Sequence, residues 1–160
     1  MLASVYAPKD FKRLRVSGDL VARCFDYISP YIKAGISTGE IDRMVAEFLK
    51  ENGARSSDLG YQGYPKSICT SVNDVIVHGI PSDDVILKDG DIISIDLVVL
   101  KNGFHGDCAR TYIVGNIDNE TKKLVDVTKQ AFFEGIKFAK KGYRIGDISN
   151  AIGEYVYKNR

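Results

Sequence analysis

The chain has 160 residues, of which 44% are hydrophobic and 27% are charged, and its formal net charge is +1. This length predicts a single domain that can bury a core without disulfides, and a charge so close to zero does not favour nucleic acid or anionic membranes as main partners. The three cysteines show no CxxC spacing, so neither a disulfide framework nor a zinc knuckle is indicated. Without an apolar stretch approaching the roughly 20 residues that span a bilayer, the sequence predicts a soluble, cytoplasmic protein.

Two helices are predicted at the start of the chain. The first runs from Pro8 to about Lys33, with Pro8 suited to its first turn, and Pro30 is expected to kink or end it. The second begins at the capping-box sequence Ser37-Thr38-Gly39-Glu40 and stops at Asn52-Gly53. Its apolar residues follow the spacing i, i+3, i+4, i+7, i+8 and form one face: Ile41, Met44, Val45, Phe48 and Leu49.

A β-rich segment and two more helices follow. Residues 54–66 are rich in Gly, Ser and Tyr and are predicted as a loop. A long helix is predicted from residue 118 or 119 to about Lys141, and a final helix begins near Gly146. Between the loop and these helices, short strands are predicted over 67–72, 75–78, 91–100 and 104–114.

The last two strands form a predicted hairpin that carries two aspartates. Asn102-Gly103 favours a two-residue type I′ turn, which places Val98 opposite Asp107. Side chains alternate along a strand, so Asp96 and Asp107 share one face as diagonal neighbours, roughly 7–8 Å apart at the backbone. Two carboxylates on an apolar sheet are costly unless a cation or a shared proton compensates them, so the pair indicates a divalent-metal site. The alternative is that both are merely solvated or protect a sheet edge, and a loop of another length would separate them.

The sequence also contains an internal repeat at an offset of 107 residues. The repeat predicts two pseudo-symmetric helix–helix–strand units, residues 1–117 and 118–160, the second without its sheet. The chain is therefore expected to be the front portion of a longer protein, although similar helix patterns can also match by chance. The matched pairs are Phe25/Phe132, Lys33/Lys140, Gly35/Gly142, Gly39/Gly146, Ile41/Ile148, Glu47/Glu154 and Asn52/Asn159.

Three segments carry a resemblance to a known family. YQGYPKSICTSVN at 61–73, VHGIP at 77–81 and the hairpin segment 90–107 closely resemble type I methionine aminopeptidases, and the resemblance covers nearly the whole chain. It implies the α+β pita-bread fold, in which two pseudo-symmetric halves enclose a dinuclear metal site. In this sequence the first half would be complete and the second truncated after its helices.

The resemblance implies a role for individual residues. Asp96 and Asp107 match the family's aspartate metal ligands, and His78 matches a histidine that contacts substrate near the scissile bond and stabilises the tetrahedral intermediate. Residues that match the wall of the methionine pocket are Tyr61, Tyr64 and Cys69.

From the residues alone, other roles stay open for these positions. His78 fits a turn histidine bonded to backbone, the tyrosines fit loop aromatics packed on the core, and Cys69 fits an inert buried thiol. His105 is expected to be structural and to point away from the face of Asp107. Asp58 departs from the family, whose members often carry an uncharged residue beside the methionine pocket.

The implied activity is removal of the initiator methionine from new polypeptides. Two divalent ions, Mn, Fe, Co or Zn, would activate a water, and the partners would be peptide N-termini near the ribosome. The family's remaining ligands, a histidine and two glutamates, belong to its second half, so this chain alone is expected to be inactive and unstable. The alternative is a non-catalytic pita-bread module that binds peptides or proteins, which would need neither the aspartates nor His78.

Overall fold

The computed structural model of the protein describes residues 5–159. An antiparallel sheet and two helices make up its first part. One structural unit ends at Asn116, and a second begins at Ile117. No helix among the described residues is both long enough and apolar enough to cross a membrane. The first unit contains α1 (Pro8–Ile28), α2 (Thr38–Glu51), β1 (Arg55–Ser56), β2 (Cys69–Val72), β3 (Ile92–Lys101) and β4 (Phe104–Ile113), and the second contains α3 (Asn119–Ile136) and α4 (Ile145–Asn159).

Strand β3 is the centre of the sheet. Strand β4 pairs with it along its whole length, while β1 and β2 pair with successive parts of its other edge. The predicted hairpin is confirmed: Asn102 and Gly103 both have positive φ, 52° and 81°, as a type I′ turn requires. The register places Val98 opposite Asp107, as the two-residue loop predicts.

The core lies on one face of the sheet. Residues of β3 alternate between buried and half-buried, and the buried set packs with the apolar faces of α1 and α2. Each such apolar side chain contributes roughly 1.5–3 kcal/mol on burial, so this face holds the unit together. The main contributors are Leu20, Val21, Phe25, Ile28, Ile41, Val45, Leu49, Ile93, Ile95, Leu97 and Val99.

Two predictions, a strand over 75–78 and the end of the third helix, are wrong. Residues 75–78 form no strand, because His78 adopts a left-handed backbone with φ +58°, which breaks the extended run. The expected break of the first helix at Pro30 is confirmed: α1 ends at Ile28 and continues only as a 3₁₀ turn, Ser29–Tyr31, because proline cannot extend an α-helix. Helix α3 ends at Ile136, several residues before the predicted end at Lys141.

The capping box at the start of α2 is confirmed. Ser37 Oγ accepts a hydrogen bond from Glu40 N at 3.1 Å, and Glu40 Oε2 accepts one from Ser37 N at 3.0 Å. The loop that precedes β3 is bound to the same helix end: Thr38 Oγ1 donates to Ser82 O at 3.0 Å and accepts from Ser82 N at 2.9 Å. The end of α2 that faces this loop is therefore fixed by reciprocal hydrogen bonds.

The capping box predicts an acid-sensitive contribution to stability. Hydrogen bonds from the Ser37 backbone and hydroxyl lower the pKa of Glu40 below its ordinary value of 4.5. A carboxyl whose pKa is depressed on folding stabilises the folded state above pH 4.5, and this contribution is lost as the pH falls through the depressed value. We expect Glu40→Gln to reduce the pH dependence of the free energy of unfolding between pH 5 and about pH 3, as measured by urea denaturation. The exposed Glu47→Gln on the same helix should keep the wild-type slope, and equal slopes for all three proteins would contradict the prediction.

The second unit is a helical pair. Asp118 caps α3 by accepting a hydrogen bond from Thr121 N at 2.8 Å. Helix α4 begins 145 − 38 = 107 residues after α2, the offset of the sequence repeat. The paired glycines Gly35 and Gly142 have almost the same left-handed backbone, with φ of 96° and 97°. Both helices are thus preceded at the same distance by the same kind of turn.

Candidate metal centre

The two hairpin aspartates lie on the face of the sheet opposite the core. Asp96 pairs with Ala109 and Val98 pairs with Asp107, so the two carboxylates are diagonal neighbours on one face. Asp96 is half-buried and Asp107 is exposed. Because β3 is a central strand and its turn is fixed by Asn102-Gly103, the sheet itself sets their relation.

Charge repulsion marks this face as electrostatically unusual. Burial raises the pKa of Asp96, and the negative charges of Asp107 and Asp58 raise it further, while His78 lowers it. Burial also raises the pKa of Asp58, partly offset by a hydrogen bond from the backbone of Val98. A bound cation would relieve this repulsion, because it favours the ionised carboxylates.

The aspartates are suited to a divalent ion but form an incomplete ligand set. Within residues 5–159, no three His, Cys, Asp or Glu side chains are grouped so that they could hold a metal ion together. Carboxylate oxygens bind hard and borderline divalent cations, and two of them bind weakly without further ligands. Asp96 and Asp107 therefore fit as part of a metal centre.

Cys69 lies directly opposite Asp96 in the pairing of β2 with β3. Burial raises the pKa of its thiol, a hydrogen bond with Tyr64 lowers it, and the charges of Asp58 and Asp96 raise it. The net effect keeps the sulfur protonated, as a small neutral wall beside the aspartates rather than a nucleophile.

The two tyrosines predicted to line one pocket have different environments. The hydroxyl of Tyr64 lies 3.0 Å from the carbonyl oxygens of both Ile68 and Gly79, and its ring is half-buried. Tyr61 is 68% exposed, and its hydroxyl accepts one long hydrogen bond, 3.4 Å, from Gln62 Nε2. The structure therefore ties Tyr64, but not Tyr61, to the backbone around the site.

His78 is exposed in the loop between β2 and β3. The imidazole lowers the pKa of both Asp96 and Asp58, so the histidine lies close enough to the aspartates to interact with them electrostatically. The next residue, Gly79, accepts a hydrogen bond from Thr70 N at 2.8 Å and so attaches the loop to β2.

Asp58 has a structural role that the sequence does not reveal. Its Oδ2 accepts a hydrogen bond of 3.3 Å from Val98 N, at the point on β3 between the stretches paired with β1 and β2. The carboxylate thus replaces a missing strand partner. The two residues are 40 positions apart, so no local pattern could have indicated the contact.

The predicted orientation of His105 is wrong. His105 and Asp107 are two residues apart on β4, and residues at that spacing point to the same face. Both are exposed, and His105 Nδ1 lies 2.8 Å from Ser57 Oγ. The period of the strand was sufficient to place this histidine correctly.

Comparisons with known proteins extend over nearly the whole chain. The model of a family described as metallopeptidase family M24 matches residues 12–160. Methionine aminopeptidase of Escherichia coli (strain K12) is 42% identical over 157 residues, covering 98% of this chain and 60% of that protein. Methionine aminopeptidase 1 of Bacillus subtilis (strain 168) is 48% identical over 149 residues, covering 93% of this chain and 60% of that protein.

The fold agrees with the sequence relatives. The crystal structure of methionine aminopeptidase from Rickettsia prowazekii superposes with a TM-score of 0.95 at 38% identity, covering 98% of this chain and 63% of that one. The chain thus spans about 60% of the length of the relatives it matches. The predicted α+β pita-bread fold is confirmed, with one αβ half followed by two further helices. The chain belongs to metallopeptidase family M24.

Proposed function

We propose that this chain carries part of the active site of a metal-dependent aminopeptidase that removes the N-terminal methionine from new polypeptides. The observation that carries the proposal is the placement of Asp96 and Asp107 side by side on the open face, with Cys69 directly beside Asp96. The names of the relatives, which are methionine aminopeptidases, support this reaction.

Each residue has a distinct part in the proposal. Asp96 and Asp107 supply oxygen ligands for two divalent ions, Mn, Fe, Co or Zn, which when bound activate water for attack on a peptide carbonyl. His78 donates a hydrogen bond to the negative charge that develops on the substrate carbonyl oxygen. Tyr61, Tyr64 and Cys69 form a neutral wall against which the methionine side chain packs. A thioether suits such a wall, because its sulfur packs well on aromatic edges.

The substrates in this proposal are peptides with a free N-terminal methionine. They would be met in the cytoplasm, close to the ribosome from which new N-termini emerge. The half-buried Tyr64 and the protonated Cys69 favour an uncharged side chain at this position.

Metal binding by the 160-residue chain is the first test. We expect Mn²⁺ to bind with a dissociation constant of roughly 1 mM, followed by loss of the free-ion signal in electron paramagnetic resonance. Asp96→Asn and Asp107→Asn should each weaken binding at least about tenfold, because each removes one of two anionic ligands. Asp84→Asn, at an exposed loop position, is the matched control and should bind like the wild type. Equal binding by all four proteins would contradict the proposed centre.

Substrate binding and turnover form the second part of the test. We expect Met-Ala-Ser to shift the amide resonances of Cys69 and Tyr64, with a smaller response to Ala-Ala-Ser. Two carboxylates hold metal weakly, so we expect little or no turnover by this chain with Mn²⁺ or Co²⁺, and chelator-sensitive turnover would contradict that expectation. Peptide binding that needs neither metal nor an N-terminal methionine would instead indicate a non-catalytic binding module.

A further inference from the structure

The segment 75–80, which carries His78 within the loop between β2 and β3, is not held in place by apolar packing. The aliphatic side chains of residues 75–80 are all exposed, and Ile76, for example, is 88% exposed. Within this loop His78 adopts φ +58°, a conformation that L-residues with side chains rarely occupy. A strained backbone persists only when other contacts determine it, so polar contacts must fix this segment.

Hydrogen bonds at Gly79 provide those contacts. Thr70 N donates to Gly79 O at 2.8 Å, and Gly79 N donates to Ser71 Oγ at 3.3 Å. The approach to β2 is so close that a Cβ at Gly79 would collide with the carbonyl oxygen of Thr70. The residue after His78 is thus docked against the strand by polar contacts alone.

Tyr64 completes this docking from the other side. Its hydroxyl lies 3.0 Å from the carbonyl oxygens of both Gly79 and Ile68, which share its single proton. Ile68 is itself fixed, because Asp42 Oδ1 on α2 accepts hydrogen bonds from Ser67 N at 2.7 Å and Ile68 N at 3.2 Å. Burial raises the pKa of the Tyr64 hydroxyl, so it remains a donor throughout the physiological range.

We propose that Tyr64 is a positioning residue for His78: its hydroxyl clamps the Gly79 carbonyl to the anchored Ile68 segment and so holds the histidine near the aspartates. The catalytic meaning of this clamp rests on the function proposed above, whereas the clamp itself does not. A tyrosine that served only as a pocket wall would act through its ring, and loss of its hydroxyl would leave the loop unchanged.

The test is Tyr64→Phe in the 160-residue chain, followed by nuclear magnetic resonance. We expect the Thr70 amide, which is protected by the docked loop, to exchange with solvent roughly three- to tenfold faster, the effect of losing one neutral hydrogen bond. The heteronuclear NOE of His78 should fall, and its imidazole resonances should move. His105, the chain's only other histidine, is the internal reference and should keep its resonances.

Tyr61→Phe is the matched control, because its hydroxyl makes only the long contact with Gln62. It should leave Thr70 and His78 as in the wild type, and both variants should retain slow exchange at the core amides of Ile95 and Leu97. Unchanged Thr70 exchange and His78 dynamics in Tyr64→Phe would overturn the proposal.

Two further measurements keep the result unambiguous. In the wild type, the Tyr64 hydroxyl proton should be observable and should give a nuclear Overhauser effect to the Gly79 Hα protons. A rapidly exchanging hydroxyl would overturn the clamp, and this result does not depend on whether the variant folds. Mn²⁺ binding should be unaffected by Tyr64→Phe, because neither aspartate is altered. Failure of the proposed metal centre and failure of the clamp are therefore separate outcomes.

Discussion

Replacement of Gly106 by alanine should destabilise the first unit by about 2–3 kcal/mol, the cost of forcing an extra methyl group into a closed interface. Strand β4 crosses α1 at this glycine, and a Cβ there would lie 2.6 Å from Ser17 O and 2.7 Å from Gly18 N. Both are backbone atoms, which cannot turn aside as the end of a side chain can. Ser17 is fully buried and its Oγ donates to Phe104 O at 2.9 Å, so the helix is also fastened at this point.

Gly18→Ala is the matched control for Gly106→Ala. It lies in the same crossing, but no heavy atom stands within 4 Å of its would-be Cβ outside its own helix. Alanine is favoured over glycine inside a helix, so this variant should be more stable than the wild type by roughly 0.5–1 kcal/mol. Urea unfolding followed by circular dichroism measures both changes. A Gly106→Ala protein as stable as the wild type would show that α1 can move away from the sheet at little cost.

Replacement of Asp42 by alanine should destabilise the protein by about 3 kcal/mol, because two backbone N–H groups lose their charged acceptor in a buried place. The residue is 6% exposed, and its carboxylate accepts from Ser67 N and Ile68 N. Lys66 Nζ, 4.0 Å from the other carboxylate oxygen, is the nearest cation and adds a weaker attraction. The same change should loosen the segment that leads into β2.

Asp42→Asn separates the hydrogen bonds from the charge. Its amide oxygen can still accept from both backbone donors, and burial raises the pKa of Asp42, so the loss of the charge is only a modest change. We expect Asp42→Asn to retain most of the stability, as measured by urea unfolding at pH 7. If both variants were equally destabilised, the charge rather than the hydrogen bonds would be the source of the effect.

The aspartate pair could be predicted from sequence because its determinants are local. The Asn102-Gly103 turn fixes the register of a hairpin, and the period of two then assigns Asp96 and Asp107 to one face. The capping box before α2 is local in the same sense, and the structure contains its hydrogen bonds. Where turn and cap chemistry decide the conformation, residue order is sufficient.

Contacts between distant segments could not be predicted in this way. Asp58 reaches Val98, and Tyr64 reaches Gly79, across loops without any periodic pattern. Strand β1 has only two residues, and its existence depends on pairing with the far end of β3. The strand predicted over 75–78 failed for the complementary reason: its β-branched residues favour extension, but the docking of Gly79 imposes a turn.

The alternation along β3 divides one strand between two kinds of evolutionary constraint. Odd-numbered positions from Ile93 to Val99 face the core, where substitutions are limited by volume and shape. Even-numbered positions from Ser94 to Val98 face the open side, where the chemistry of the site limits which substitutions are tolerated. Substitutions at neighbouring positions of this strand are therefore expected to do harm for different reasons, at Ile95 through lost packing and at Asp96 through lost chemistry of the site.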